Sequence, residues 1–460
     1  MISKRIAENV IEAAMATGGD FAEIFMEDTR KNNVSLTDGK LETAAANRIH
    51  GAGIRVFNGL NSVYVYTNDT GEEGLIRSAR QAAQAIRAGG QHQPLPLQGS
   101  LAANIHPISV LPGDVPGQKR ANLVHRAYDA ARAGGESVSQ VRVNLGDVDQ
   151  EVYIVNSEGL MVGDRRVYTR MGISVVASDG KENQTGFVGP GAMMGYELFE
   201  TRVDVERAAR EAARTACVML SADQCPAGVM PVVIDGGFGG VIFHEACGHS
   251  LEATAVARGN SEFCGKMGKQ VASPIVTAID DGTIANEWGS LNIDDEGTPT
   301  TRLVLIEKGI LKNYMIDKLN GRRMNMPVTG SARRQSYSFA PTSRMRNTFI
   351  APGEHDEDEI IRTMGDGLYA RQMGGGSVNP ATGEFNFAVT EGYLVKDGKI
   401  DRPVRGATLI GKGSEVLMRI DRVGKKMWMA QGVCGSVSGS VNTNVGQPMI
   451  RVTQMTVGGR

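Results

Sequence analysis

Apolar positions fall on one helical stripe over residues 3–16, at Ile6, Val10, Ala13 and Ala14, and Gly18-Gly19 follow where a left-handed cap would end a helix. The spacing predicts a first helix there, and similar patterns predict helices over 71–88 and 115–133. Between and beyond them the period changes to that of strands. Asp38-Gly39 and Asn58-Gly59 sit between β-rich runs at 34–36, 54–57 and 63–66, the sequence signal of tight hairpins. Residues 91–117, rich in Pro and Gln, read as a surface loop. Strands resume at 141–144 and 151–156 and run to about 188, with Asp179-Gly180 as another turn. From 201 to 220 the helical period returns through Val205, Ala208, Ala209, Ala212, Ala216 and Leu220. Further on, Lys308-Gly309 and Asp397-Gly398 again separate apolar runs. The expected fold is α+β: an N-terminal mixed α/β domain with antiparallel sheet over 1–222, and a β-rich, glycine-rich domain over 223–460. Residues 221–228 form the linker between them.

Composition sharpens this picture in two places. The 58 glycines in 460 residues exceed the usual share, which fits many short strands and tight turns. Lys and Arg total 49 against 51 Asp and Glu, so the net charge of -2 gives no global field to recruit nucleic acid or an anionic membrane. No apolar run reaches the ~18 residues of a spanning helix, and the N-terminus lacks the pattern of a secretory signal. Five cysteines, an odd number in a large chain, suit a reducing compartment. A cytoplasmic enzyme is expected.

The densest chemistry lies in residues 231–252, where a strand and a glycine turn lead into His244-Glu245-Ala246-Cys247-Gly248-His249. Zincin histidines stand four apart, on one helical face, with the intervening Glu as general base. Here the spacing is five. At about 100° per residue the second ring would point roughly 140° away from the first, so the helix must break or bulge between them, and Gly248 is the candidate position. A catalytic zinc takes three protein ligands and keeps a position for water. Cys434, flanked by glycines in Gln431-Gly432-Val433-Cys434-Gly435, is the favoured third ligand, and Cys247 is its rival. Two neutral imidazoles and one thiolate would leave about one net positive charge, acidifying water less than a three-histidine site does. A general base then matters more, and Glu245 is placed to take the proton of the attacking water and return it to the leaving amine. The other five histidines are scattered and carry no such pattern.

The same motif, with Asp280-Asp281-Gly282-Thr283, Asp294-Asp295-Glu296-Gly297-Thr298, Thr342-Ser343-Arg344-Met345-Arg346-Asn347-Thr348, the 374–387 segment, Pro403-Val404-Arg405-Gly406 and Gly432-Val433-Cys434-Gly435, resembles the TldD/PmbA (TldD/TldE) peptidases over nearly the full length. The match is to the active, TldD-type subunit. The resemblance implies a zinc metallopeptidase with metal on His244, His249 and Cys434 and Glu245 as the catalytic glutamate. It also implies a dimer enclosing a cavity, either a homodimer or a pair with a PmbA/TldE-type homologue, that admits unfolded peptides. An extended peptide would add as a strand to a β-rich wall, with residues 374–383 and 344–348 flanking the groove. Arg333 and Arg334 are expected as a solvated surface pair. Two alternatives stay open: a zinc amidase or deformylase, and a non-enzymatic regulatory module whose structural zinc takes a fourth ligand, with Cys247 the natural choice.

Overall fold

The computed structural model describes residues 2–86, 89–90, 92–379 and 381–459. The expected helices form as Lys4–Met15, Glu72–Ile86, Gly117–Arg132 and Val205–Leu220, the last preceded by a short turn, Leu198–Thr201. Residues 87 and 88 of the second, residue 91 at the start of the expected loop, and residue 380 in the 374–387 motif lie outside the described residues. Side-chain caps fix the starts of two of these four helices. Ser3 Oγ accepts from the Ile6 amide, and Asp204 accepts from the Arg207 amide.

The first sheet orders its strands Asn61–Thr67, Lys40–Asn58, Phe21–Thr37, Val138–Asn156, Leu160–Ser178 and Gln98–Leu101. Asp38 and Gly39, at φ 48° and 81°, turn the long hairpin of Phe21–Thr37 and Lys40–Asn58. Alternation decides which side is buried where. Ala22, Ile24 and Met26 pack against the first two helices, while Val34 and Leu36 join the cluster under Gly117–Arg132 and Val205–Leu220. The same parity therefore serves both, and all four helices cover one face. The opposite face carries Glu23, Phe25 and Glu27. The runs at 141–144 and 151–156 join into one 19-residue strand, because the polar stretch between them finds partners; Asp147 accepts from Asn32 and from Tyr196.

Residues 228–458 build two further β layers. Gly228–Ile234, Gly367–Val378, Glu384–Lys396, Thr408–Lys412 and Ile450–Gly458 pair in a closed ring. A six-stranded sheet runs Ile310–Leu311, Arg302–Glu307, Ala278–Asp281, Asn347–Ile350, Gly439–Gln447 and Trp428–Ser436, which leaves Trp428–Ser436 on an edge. The turns at Lys308-Gly309 and Asp397-Gly398 are hairpins, all four residues at positive φ.

Two expectations fail here. Arg333 and Arg334 are buried, not solvated. Arg334 donates to Glu23 at 2.7 Å, Arg55 bridges Glu23 and Glu296 at 2.8 and 2.6 Å, and Arg166 reaches Asp295 at 2.6 Å. These pairs tie the polar face of the first sheet to residues 294–296 and 332–334, and a guanidinium is tolerated there because each finds a carboxylate or carbonyl. The 91–117 segment is not simply a surface loop. It contains Gln98–Leu101 and a 3-10 turn at Pro112–Asp114, and it buries His106, whose Nδ1 accepts from the Asn286 amide.

Candidate metal centre

The strand Gly228–Ile234 ends at Asp235, and Gly237, at φ 70°, turns the chain into a helix assembled from short pieces. A 3-10 turn, Gly237–Gly240, passes into Val241–Phe243, then into a π turn over His244–Gly248, then into a second 3-10 turn, His249–Leu251. The π turn is closed by the His249 amide donating to the His244 carbonyl, five residues back. Closing the hydrogen bond over five residues brings side chains five apart to the same face, as the motif's spacing requires. The two imidazole centroids are 5.2 Å apart, with ring planes at 84°.

Gly248 is needed for a different reason from the one its conformational freedom suggests. Its φ of -57° and ψ of -51° are ordinary helical values. A Cβ on Gly248 would instead lie 2.3 Å from Met345 Sδ. Met345 is wholly buried beneath the helix, in the run 344–348, every residue of which is buried. That run is therefore the floor under the histidines and does not flank an open groove.

The hairpin of Trp428–Ser436 and Gly439–Gln447 supplies the third side chain. Gly240 has no Cβ to meet the Gly446 backbone, which would otherwise stand 2.6 Å away, so helix and hairpin come into direct contact. Cys434 Sγ lies 3.2 Å from His249 Nε2. Among the described residues His244, His249 and Cys434 form one group of possible metal donors, their ligand atoms all within 4.8 Å of one another. Cys247 is not part of it. Its thiol is buried elsewhere, and burial, reinforced by Glu262, raises it well above an ordinary thiol.

Electrostatics favour the charged forms of Cys434 and His249. Burial alone would raise the Cys434 thiol, but His244 and His249 outweigh it and bring it down to about 5. Burial opposes charge on His249, yet the Glu252 carboxylate and Cys434 hold its proton affinity well above that of a free imidazole. Glu252 Oε2 accepts from His249 Nδ1 at 3.2 Å, leaving Nε2 facing Cys434. Glu245 points the same way, with Oε2 3.6 Å from His249 Nε2 and its side chain 31% exposed.

The donor set fits a divalent soft-to-borderline ion. Zn–N near 2.05 Å and Zn–S near 2.3 Å at tetrahedral angles imply an N···S edge of about 3.6 Å, against 3.2 Å here. Nδ1 of His244 is buried without a hydrogen-bond partner in the protein, and a buried polar atom left so is costly.

Three consecutive family models cover the chain: PmbA/TldA metallopeptidase domain 1 at 22–86, the central domain at 111–220 and the C-terminal domain at 227–459. The chain belongs to the PmbA/TldA metallopeptidase family. Among its relatives, a metalloprotease TldD homolog of Haemophilus influenzae is 37% identical over 100% of this chain and 97% of its own. A metalloprotease of Methanothermobacter thermautotrophicus is 32% identical over 96% of each. The fold is shared with a Thermotoga maritima protein described as a candidate modulator of a DNA gyrase (TM-score 0.80, 20% identity, 99% of both chains) and with TldE of Thermococcus kodakarensis (TM-score 0.75, 18% identity, covering 99% of this chain and 100% of that one). The relatives' names imply a metal ion, and His244, His249 and Cys434 are a possible donor set for one. Among the described residues no helix is long and apolar enough to cross a membrane.

Glu252 has no role assigned from sequence, and Arg344 and Met345 are expected only as part of a groove flank, not beneath the metal centre. Glu252 was legible in principle, since a carboxylate three residues after a ligand-type histidine reaches back one helical turn. Arg344 and Met345 were not, because nothing local ties them to residues 90 or more positions away.

Proposed function

We propose that this protein is a zinc-dependent peptidase acting on unfolded or extended peptides, with His244, His249 and Cys434 holding the ion and Glu245 as general base. One observation carries the reading: two imidazoles and a low-affinity thiol converge from distant segments while a carboxylate sits beside them, partly open to solvent. A bound zinc would polarise the scissile carbonyl and acidify water. Glu245, whose Oε2 lies 3.6 Å from His249 Nε2, would take a proton from the attacking water and pass it to the leaving nitrogen. Glu252 fixes the His249 tautomer, so Nε2 stays directed at the cluster.

Substrate would reach this point along the edge strand Trp428–Ser436. A cleft of about 740 Å³ opens beside it, lined among others by Phe187, Phe238, Met373, Gly374, Met429 and Val433. The Gln431 and Gly432 carbonyls are already taken by Arg170 at 3.0 Å and Trp288 at 2.8 Å. The Cys434 carbonyl is likewise taken, by Arg344, so an extended peptide would lie in the cleft beside this strand and would not pair with those three carbonyls. Pairing of this chain with itself or with a TldE-type homologue of the same fold would enclose that edge.

The test is cleavage of unstructured peptide libraries by the zinc-loaded parent and by Glu245→Gln. Internal bonds should be cut by the parent, and the variant should keep its zinc while losing about 10²–10⁴ in rate. Removal of only a terminal amide or formyl group, with internal bonds intact, would replace the peptidase reading by an amidase. Full cutting by the glutamine variant would remove Glu245 from the mechanism.

A further inference from the structure

Arg344 is among the largest side chains in the protein with no exposure to solvent. Burying a guanidinium costs several kcal/mol before partners are counted, and an apolar side chain of that size would serve packing alone at least as well. Its contacts therefore say what it is for. Nη2 donates to the Cys434 carbonyl at 2.5 Å, and Nη1 donates to Ser438 Oγ at 3.0 Å and to the Gly439 carbonyl at 2.8 Å. Three oxygens spanning the tip of the hairpin are gripped by one rigid fork. The third nitrogen, Nε, makes no hydrogen bond, and it lies 3.8 Å from Glu252 Oε1, which also makes none. The other oxygen of that carboxylate holds His249 Nδ1 at 3.2 Å.

Resting on the metal site proposed above, the geometry points to Glu252 and Arg344 as a single positioning clamp that sets Cys434 against His249. One end of the carboxylate orients the imidazole, and the other faces the guanidinium that fixes the backbone of the cysteine. The two donors come from segments 185 residues apart, on a helix and a hairpin that pack through small residues. A planar fork resists rotation where a lysine ammonium would not. The clamp touches no reacting atom. Its work is to hold the donor spacing within the few tenths of an ångström that metal coordination tolerates.

The test uses the full chain with zinc affinity read by competition against a chromophoric chelator, and cobalt as a spectroscopic stand-in whose thiolate charge-transfer band reports Cys434. Glu252→Ala should lower zinc affinity about 10–100-fold and should also shift or weaken the thiolate band, although Glu252 does not touch Cys434. Glu252→Gln keeps an oxygen for His249 Nδ1, so it should regain much of the affinity yet retain the altered band, since the charge facing Arg344 is gone. Arg344→Lys should reproduce both losses; if that variant does not fold, the two Glu252 variants decide alone. An unchanged thiolate band in Glu252→Ala, with parent-like zinc affinity or with affinity loss only, overturns the clamp. A parent protein that takes up neither ion defeats the underlying metal site instead, and the two failures are told apart by that control.

Discussion

Replacing Gly248 by alanine separates two explanations of why a glycine stands between the histidines. The backbone there is already helical, so alanine brings no dihedral strain and gains about 1 kcal/mol of helix propensity. Against that, the new methyl would lie 2.3 Å from Met345 Sδ, in a side chain with no solvent exposure to retreat into. Overpacking of this kind costs about 1–3 kcal/mol, so Gly248→Ala should lose about 1 kcal/mol net. In a Met345→Ala background, itself destabilised by about 2–5 kcal/mol, the methyl has room and only the propensity gain remains. Gly248→Ala should then stabilise by up to about 1 kcal/mol, a reversal of sign worth about 2 kcal/mol of coupling. Urea unfolding of the parent, both single variants and the double variant in chelator, at one pH, measures it. Equal destabilisation by Gly248→Ala in both backgrounds would refute the steric argument and return the glycine to a conformational role.

Cys434→Ala should lose most zinc affinity while Cys247→Ala, away from the cluster, should keep it; equilibrium dialysis against zinc distinguishes them. In the metal-free protein His249 holds its proton well above the usual imidazole range and Cys434 is a thiolate above about pH 5. Zinc uptake should therefore release one proton, and affinity should rise about tenfold per pH unit until His249 loses its proton unaided; isothermal titration in buffers of different ionisation heat counts that proton. Glu296 has its carboxyl pushed up to about 8, by burial first and then by Asp317, Glu23 and Asp294, against the pull of Arg55. From about pH 4.5 to 8 the unfolded chain gives up this proton and the folded chain keeps it, so that contribution to stability falls as pH rises. Glu296→Gln should accordingly gain on the parent between pH 5.5 and 8.5, read by urea midpoints at the two values.

What the sequence made legible was local or periodic. Helical stripes placed four helices within a few residues of their observed ends, and Asp-Gly and Lys-Gly pairs marked hairpins because their positive φ is a property of the pair itself. The five-residue histidine spacing demanded a departure from the α-helix, and the π turn is one, since closing the hydrogen bond over five residues brings both rings to one face. The illegible part was long-range. Arg334 looks like a surface charge until Glu23 is known to lie against it from 311 positions away, and Gly248 looks like a hinge until Met345 is seen beneath it. Residues 344–348, expected beside the groove, are buried instead, and Arg346 is held there by Asp280 at 2.7 Å.

The most direct test of the account is X-ray absorption at the zinc edge of the purified, reduced protein. One zinc per chain is expected, with a single sulfur near 2.3 Å and three nitrogen or oxygen neighbours near 2.0–2.1 Å, two from the histidines and one exchangeable. A first shell without sulfur, or one closed by four protein ligands, would contradict it.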